Sequence, residues 1–192
     1  MLFRAKKTAL RNLAQIILPL MMALPAMAIE TPEYKVVNEE GKFELRDYPS
    51  MTVARTAMGD GDFMRLFRYI SGNNEAEQKI AMTAPVLVQH RGEESGMSFV
   101  VPREVAAAKV PAPKAADVSV DTMPAACFAV FTYSGRRTDK NEDDALGKLR
   151  AWMEKKNLKS EGEPVFAYYD PPWTLPFLRR NEVMLRVAGM QS

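Results

Sequence analysis

Apolar and polar residues alternate with a period of two over Tyr34–Glu40, Phe43–Tyr48 and Met51–Met58, the pattern of half-buried strands. In the second run Phe43 and Leu45 face one way while Glu44 and Arg46 face the other. The period then changes. Phe63, Leu66, Phe67 and Ile70 fall at i, i+3, i+4 and i+7, which predicts a helix with one apolar stripe, capped by Asp60 or Asp62 and ended by Gly72. Strands are expected again at Ile80–Gln89 and Met97–Val101, paired as a hairpin across the turn-rich stretch from His90 to Gly96. From Pro102 to Ala116 the composition shifts to Ala, Lys and Pro, and Pro111 and Pro113 cannot join a ladder, so a surface connector is predicted. Val118–Thr122 and Cys127–Tyr133 alternate as strands. Asp139 and Glu142 then have capping-box spacing before a helix that should end near Leu158, burying Leu146, Leu149, Trp152 and Met153. Val165–Tyr169 and Val183–Val187 complete the strands, separated by a Pro-rich loop.

The order strand, helix, strand, strand occurs twice, at about 51–101 and 127–187. Two copies are too few for a solenoid. They predict an α+β fold made by duplication, a twisted antiparallel sheet (a distorted barrel) with two packed helices. An apolar ligand would find its natural groove where the helices meet the sheet, at the pseudo-twofold centre.

Residues 1–28 stand apart from this pattern. Arg4, Lys6, Lys7 and Arg11 precede an apolar run from Ile16 to Leu24, and Ala26-Met27-Ala28 supplies the small residues of a cleavage site, so 1–28 is read as a signal peptide and 29–192 as a single domain. The apolar run is too short to span a bilayer and is broken by Pro19 and Pro25; no stable membrane insertion is expected after processing. The processed chain is expected in the periplasm or outside the cell, as a monomer. It keeps 22 basic and 24 acidic residues, so the formal charge of +2 belonged to the leader, and a nucleic-acid partner is not expected.

Most catalytic chemistry fails on its own terms. Gly59-Asp60-Gly61-Asp62-Phe63-Met64 lies between strand and helix like a dinucleotide fingerprint, but Met64 replaces the third glycine and two aspartates would repel a pyrophosphate. Asp139, Asn141 and Asp143 open like a calcium loop, yet Asp144 and Arg150 stand where its glycine and bidentate glutamate belong. No Gly-x-Ser-x-Gly occurs. One Cys and one His exclude an intramolecular disulfide and a Cys/His zinc site. Cys127 begins a buried strand and reads as an inert thiol. His90, in a turn, reads as solvated, with iron ligation the alternative.

Three segments together resemble the SOUL family of haem-binding proteins: Phe67-Arg68-Tyr69-Ile70-Ser71-Gly72-Asn73-Asn74, Lys79-Ile80-Ala81-Met82-Thr83-Ala84-Pro85-Val86, and Tyr169-Asp170-Pro171-Pro172-Trp173 with Arg179-Arg180-Asn181-Glu182-Val183. The likeness runs from about Glu30 to Val187. It implies a duplicated sheet with two helices, related to effector-binding domains of bacterial regulators, and reversible, non-covalent binding of haem or another tetrapyrrole without catalysis. A haem needs an apolar wall, aromatic rings and basic residues at its rim. The first helix offers Met64, Arg65, Phe67 and Arg68, on the segment matching the family's haem-contacting helix, with Met82 nearby in sequence. The Pro-rich loop offers Trp173, Phe177, Arg179 and Arg180 as a second rim. The histidine proposed as iron ligand in some members has no counterpart near the first strands; here His90, Met82 or a tyrosine would have to serve. The expected role is a carrier or buffer of the ligand. An effector-type sensor or interaction module of the same fold, and a tetrapyrrole-modifying enzyme, are the alternatives.

Overall fold

The alternating segments become strands because each has neighbours that complete its hydrogen bonds and cover one of its faces. The structure, a computed structural model, describes residues 29–90 and 95–190; the leader assigned to 1–28 lies outside them, as does part of the turn after His90. In chain order the strands are β1 (Lys35–Glu40), β2 (Phe43–Tyr48), β3 (Met51–Ala57), β4 (Val86–Gln89), β5 (Gly96–Val100), β6 (Ser119–Met123), β7 (Ala126–Tyr133), β8 (Ser160–Tyr168) and β9 (Asn181–Val187). The helices are α1 (Asp62–Ile70), α2 (Arg103–Ala108) and α3 (Asp139–Lys155). All strands join one antiparallel sheet that does not close, ordered β1-β2-β7-β9-β8-β4-β5-β3-β6. The order reads symmetrically about the β4–β8 pair: β3, α1, β4 and β5 on one side match β7, α3, β8 and β9 on the other.

Both long helices lie on the same face. Leu66, Tyr69 and Ile70 of α1 and Ala145, Leu146, Leu149, Trp152 and Met153 of α3 share a core with Val88, Phe99, Phe131 and Phe166. A second core of Tyr48, Val53, Leu87, Phe128 and Met184 lies on the other face. Across β5, β4 and β8 the register aligns Phe99 with Val86 and Val86 with Tyr168, a row on the helix side. Phe63 of α1 meets Phe99 edge-on at 5.3 Å and so stands at one end of this row.

Several expectations are corrected. Only Val86–Gln89 of the strand expected from Ile80 is laddered. Its first half spends its hydrogen bonds elsewhere: the Ile80 amide donates to Ile70 at 2.8 Å, and the Thr83 hydroxyl donates to the Val100 carbonyl at 2.6 Å. The predicted connector contains α2, so three helices are present among the described residues, and it is anchored, since the Tyr69 hydroxyl donates to the Pro111 carbonyl at 2.8 Å. β8 starts five residues earlier than alternation suggested, with an irregularity between Glu161 and Val165 that interrupts the pattern and accommodates Pro164. Neither expected side-chain cap forms. α1 opens on left-handed Gly61, and α3 is capped by Thr138, whose side chain accepts from the Asn141 amide at 3.3 Å. Glu142 is thereby released from a capping role and turns inward.

Candidate functional site

α1 is amphipathic in an unusual sense, because part of its apolar surface lies outside the core stripe. Phe63, Met64 and Phe67 are 40%, 49% and 42% exposed. The two ring planes are near-parallel, 13° apart with centroids 6.0 Å from each other, so together they form an aromatic plate on α1 that is open to solvent. Arg68, one residue on, is exposed and, among the described residues, donates to the Met64 carbonyl of its own helix at 3.2 Å. Arg65 is not available in the same way. Its guanidinium holds Thr56 Oγ1 at 2.9 Å and the carbonyls of Ala57 and Asp60 at 2.7 and 3.0 Å, with Asp117 at 3.5 Å, which fixes α1 to the end of β3. Met82 is half-buried and packs on the core.

The Pro-rich loop between β8 and β9 is a separate surface. Trp173 and Phe177 project into solvent, beside a cleft of about 420 Å³ lined by Arg136, Arg137, Pro172, Trp173, Thr174, Leu175, Pro176 and Arg179, with no residue of α1. Arg179 and Arg180, predicted as rim cations, are committed to the structure. Arg179 donates to the carbonyls of Pro172 and Thr174 within the loop. Arg180 stacks on Tyr169 at 3.9 Å and donates to Glu182 at 2.7 and 3.0 Å.

Glu182 anchors a buried ionic network. Arg46, also fully buried, donates to both of its oxygens at 2.8 and 3.1 Å, to Glu44 at 2.8 Å and to the Tyr48 hydroxyl at 3.1 Å. Burial by itself would raise the Glu182 carboxyl; the hydrogen bonds and charges of Arg46 and Arg180 outweigh it and hold the group below the ordinary carboxylate range. Every charge here has partners, the condition for burying ions without a large penalty.

The pseudo-twofold centre, where a ligand groove was expected, is filled by side chains. The Tyr168 hydroxyl donates to buried Glu142, and His90 Nε2 lies 3.2 Å from the other Glu142 oxygen, off the direction of a hydrogen bond. The His90 ring packs on Phe166 at 5.5 Å, and Arg137 covers the Tyr168 ring at 4.5 Å. His90 is therefore half-buried against a carboxylate, not solvated as its turn position suggested. Burial first, then the bond to Glu142, pushes the Tyr168 phenol far up, so it stays protonated. Cys127 is buried, and burial with Asp47 beside it pushes the thiol up to about 11. No group of three or more His, Cys, Asp or Glu that could hold a metal ion occurs among the described residues.

Sequence reasoning missed two features. Arg136 and Arg137 join the loop only because β7 ends beside it, the Gly135 amide donating to the Pro176 carbonyl at 2.9 Å. On the face away from the helices a trough of about 430 Å³ has an apolar floor including Leu87, Phe128 and Val165 and charged walls including Arg55, Glu163 and Arg186, residues scattered over five strands, the irregular start of β8 among them.

Together, the doubled strand-helix-strand-strand order and the single nine-stranded sheet define a class of α+β module. The family comparison gives that class its name: residues 29–186 match the SOUL heme-binding protein family, and the chain belongs to it. Human "Heme-binding protein 2" is similar, 29% identical over 181 residues, which cover 83% of this chain and 87% of that protein. Among solved structures, the C-terminal domain of EcmrR superposes with a TM-score of 0.54 at 14% identity, over 80% of this chain and 97% of that one. A hydrolase from Listeria innocua does so with a TM-score of 0.51 at 13% identity, over 79% and 94%. These two likenesses show the fold alone.

Proposed function

We propose that the protein binds haem or a related tetrapyrrole on the exposed face of α1, reversibly and without a covalent bond, and carries or buffers it. The observation that carries this reading is the near-parallel Phe63–Phe67 pair, left uncovered on a family member whose relative is named for haem binding. A flat macrocycle laid on these rings removes apolar surface of both partners from water. Met64 extends the apolar wall, and Arg68 supplies a cation for a propionate. The ring's iron would bring ligand-exchange and redox chemistry; the side chains of α1 supply the surface and the charge. His90 packs with α3 and β8 through Glu142 and Phe166, so retention rests on stacking and charge rather than on an imidazole.

The site of action belongs to the same proposal. Removal of 1–28 would leave a chain starting at Ile29, where the family match also begins, and a carrier exported in this way would work in the periplasm or outside the cell. Haemin titration of the chain from Ile29, followed at the Soret band, tests the binding reading. Arg68→Glu is expected to weaken binding about thirtyfold, roughly 2 kcal/mol, because an attractive charge-assisted contact becomes a repulsive one. Parent-like affinity in that variant removes Arg68 from the site, and no Soret change at micromolar haemin in the parent refutes the function itself.

A further inference from the structure

The loop from Asp170 to Arg179 holds the largest set of uncovered apolar side chains among the described residues. Trp173 is 83% exposed, Leu175 55%, Phe177 70% and Leu178 64%. Side chains of this size rarely stand together in water without a partner. The loop is also stiff. Arg179 threads its guanidinium between the Pro172 and Thr174 carbonyls, and the Asp170 carboxylate accepts from the Arg180 amide at 2.6 Å.

We propose that this loop docks the protein on the surface of an anionic phospholipid bilayer. The first argument is that the loop is braced from within. Three of its residues are prolines with no N–H to donate. The amides of Thr174, Leu178 and Arg179 donate within the loop at 3.0, 2.9 and 3.2 Å. The carbonyls of Pro171, Pro172, Thr174, Leu175 and Pro176 all accept. Bonds closed inside the loop hold its shape where its apolar tip meets the headgroup boundary, a zone that still contains water. The second argument is charge. Beyond Asp170, whose carboxylate is taken by the Arg180 amide, no acidic residue occurs up to Arg180 or from Ser134 to Thr138, and exposed Arg136 lines the cleft beside Trp173, together with Arg137, which also faces Glu142 at 3.8 Å. Guanidinium groups around an apolar tip complement anionic headgroups, and Trp suits the interfacial zone. The contact is peripheral: no described helix is long and apolar enough to cross a membrane. This inference does not rest on the tetrapyrrole reading, whose plate lies on α1.

The test uses the haem-free chain from Ile29, which carries every described element, with vesicles of phosphatidylglycerol or of phosphatidylcholine alone. Trp152 is buried, so a blue shift on mixing reports Trp173. Co-sedimentation with phosphatidylglycerol vesicles, a blue shift and weaker binding in high salt are expected. Phe177→Ser with Leu178→Ser should weaken association at least tenfold, and Arg136→Glu should weaken it several-fold on the anionic vesicles. Both variants should melt with the parent, since these side chains are exposed. Absence of association at millimolar phosphatidylglycerol overturns the proposal. So does equal association of parent and loop variants, which would place the contact elsewhere, and so does a vesicle-free dimer abolished by the loop variant, which would make a second copy the partner. Haemin titration is read separately, so neither reading falls with the other.

Discussion

Phe67→Ser gives the most direct measure of the α1 plate. About 42% of the residue is exposed. A Phe presents roughly 200 Å² when free, so about 80 Å² remains for a ligand to cover. At about 25 cal/mol per Å² this amounts to about 2 kcal/mol, a loss of about thirtyfold in affinity. Serine removes the ring but leaves the helix face intact: the buried stripe is Leu66, Tyr69 and Ile70, and Phe63 keeps its edge contact with Phe99. Haemin is titrated into parent and variant and followed at the Soret band, with a urea melt of each as a control for folding. Phe67→Leu, which restores much of the apolar area without the flat ring, should fall between the two. Binding of Phe67→Ser within twofold of the parent, with an unchanged melt, would refute the stacking argument and move the ligand away from α1.

Arg46→Met should cost about 3 kcal/mol in urea unfolding, at the low end for breaking a buried ion pair because Arg180 and Tyr169 still donate to Glu182. The lowered Glu182 carboxyl makes a stabilising contribution that is complete above the ordinary carboxylate pKa of about 4.3 and lost as pH falls through its lower folded value, so melts of the parent should weaken steeply below about pH 4 and those of Arg46→Met less so. Gly96→Ala should destabilise by roughly 1–3 kcal/mol, since a Cβ there would lie 2.7 Å from the Thr56 carbonyl and 3.1 Å from Arg55 Nε. Cys127 should resist a thiol reagent at pH 8 until denaturant is added, because its thiol is buried and pushed up to about 11. His90→Ala should leave haemin affinity and the Soret envelope unchanged; a lost six-coordinate signature would place the iron on that imidazole.

The sequence by itself determined the two long helices, most of the strands, the doubled strand-helix-strand-strand order and the apolar face of α3, because those follow from local period: two for a half-covered strand, 3.6 for a helix packed on one side; α2 and the inward turn of Tyr69 in place of Phe63 and Phe67 did not follow from it. It also marked Phe67, Arg68, Trp173 and Phe177 as surface chemistry, through motifs carried in short segments. Only the tertiary structure decided what each side chain is free to do. Arg65, Arg179 and Arg180 read as rim cations but are spent on carbonyls or on Glu182, and those partners are set by strand pairing and loop closure, which no local pattern encodes. The half of Ile80–Gln89 that fails to ladder was invisible for the same reason: its competing acceptor, the Ile70 carbonyl, is supplied by the end of a helix. His90 looked solvated in its turn, yet folding brings Glu142 and Phe166 against it from α3 and β8. A titratable side chain takes its chemistry from whatever the fold packs beside it, and for His90 those neighbours lie more than fifty positions away along the chain.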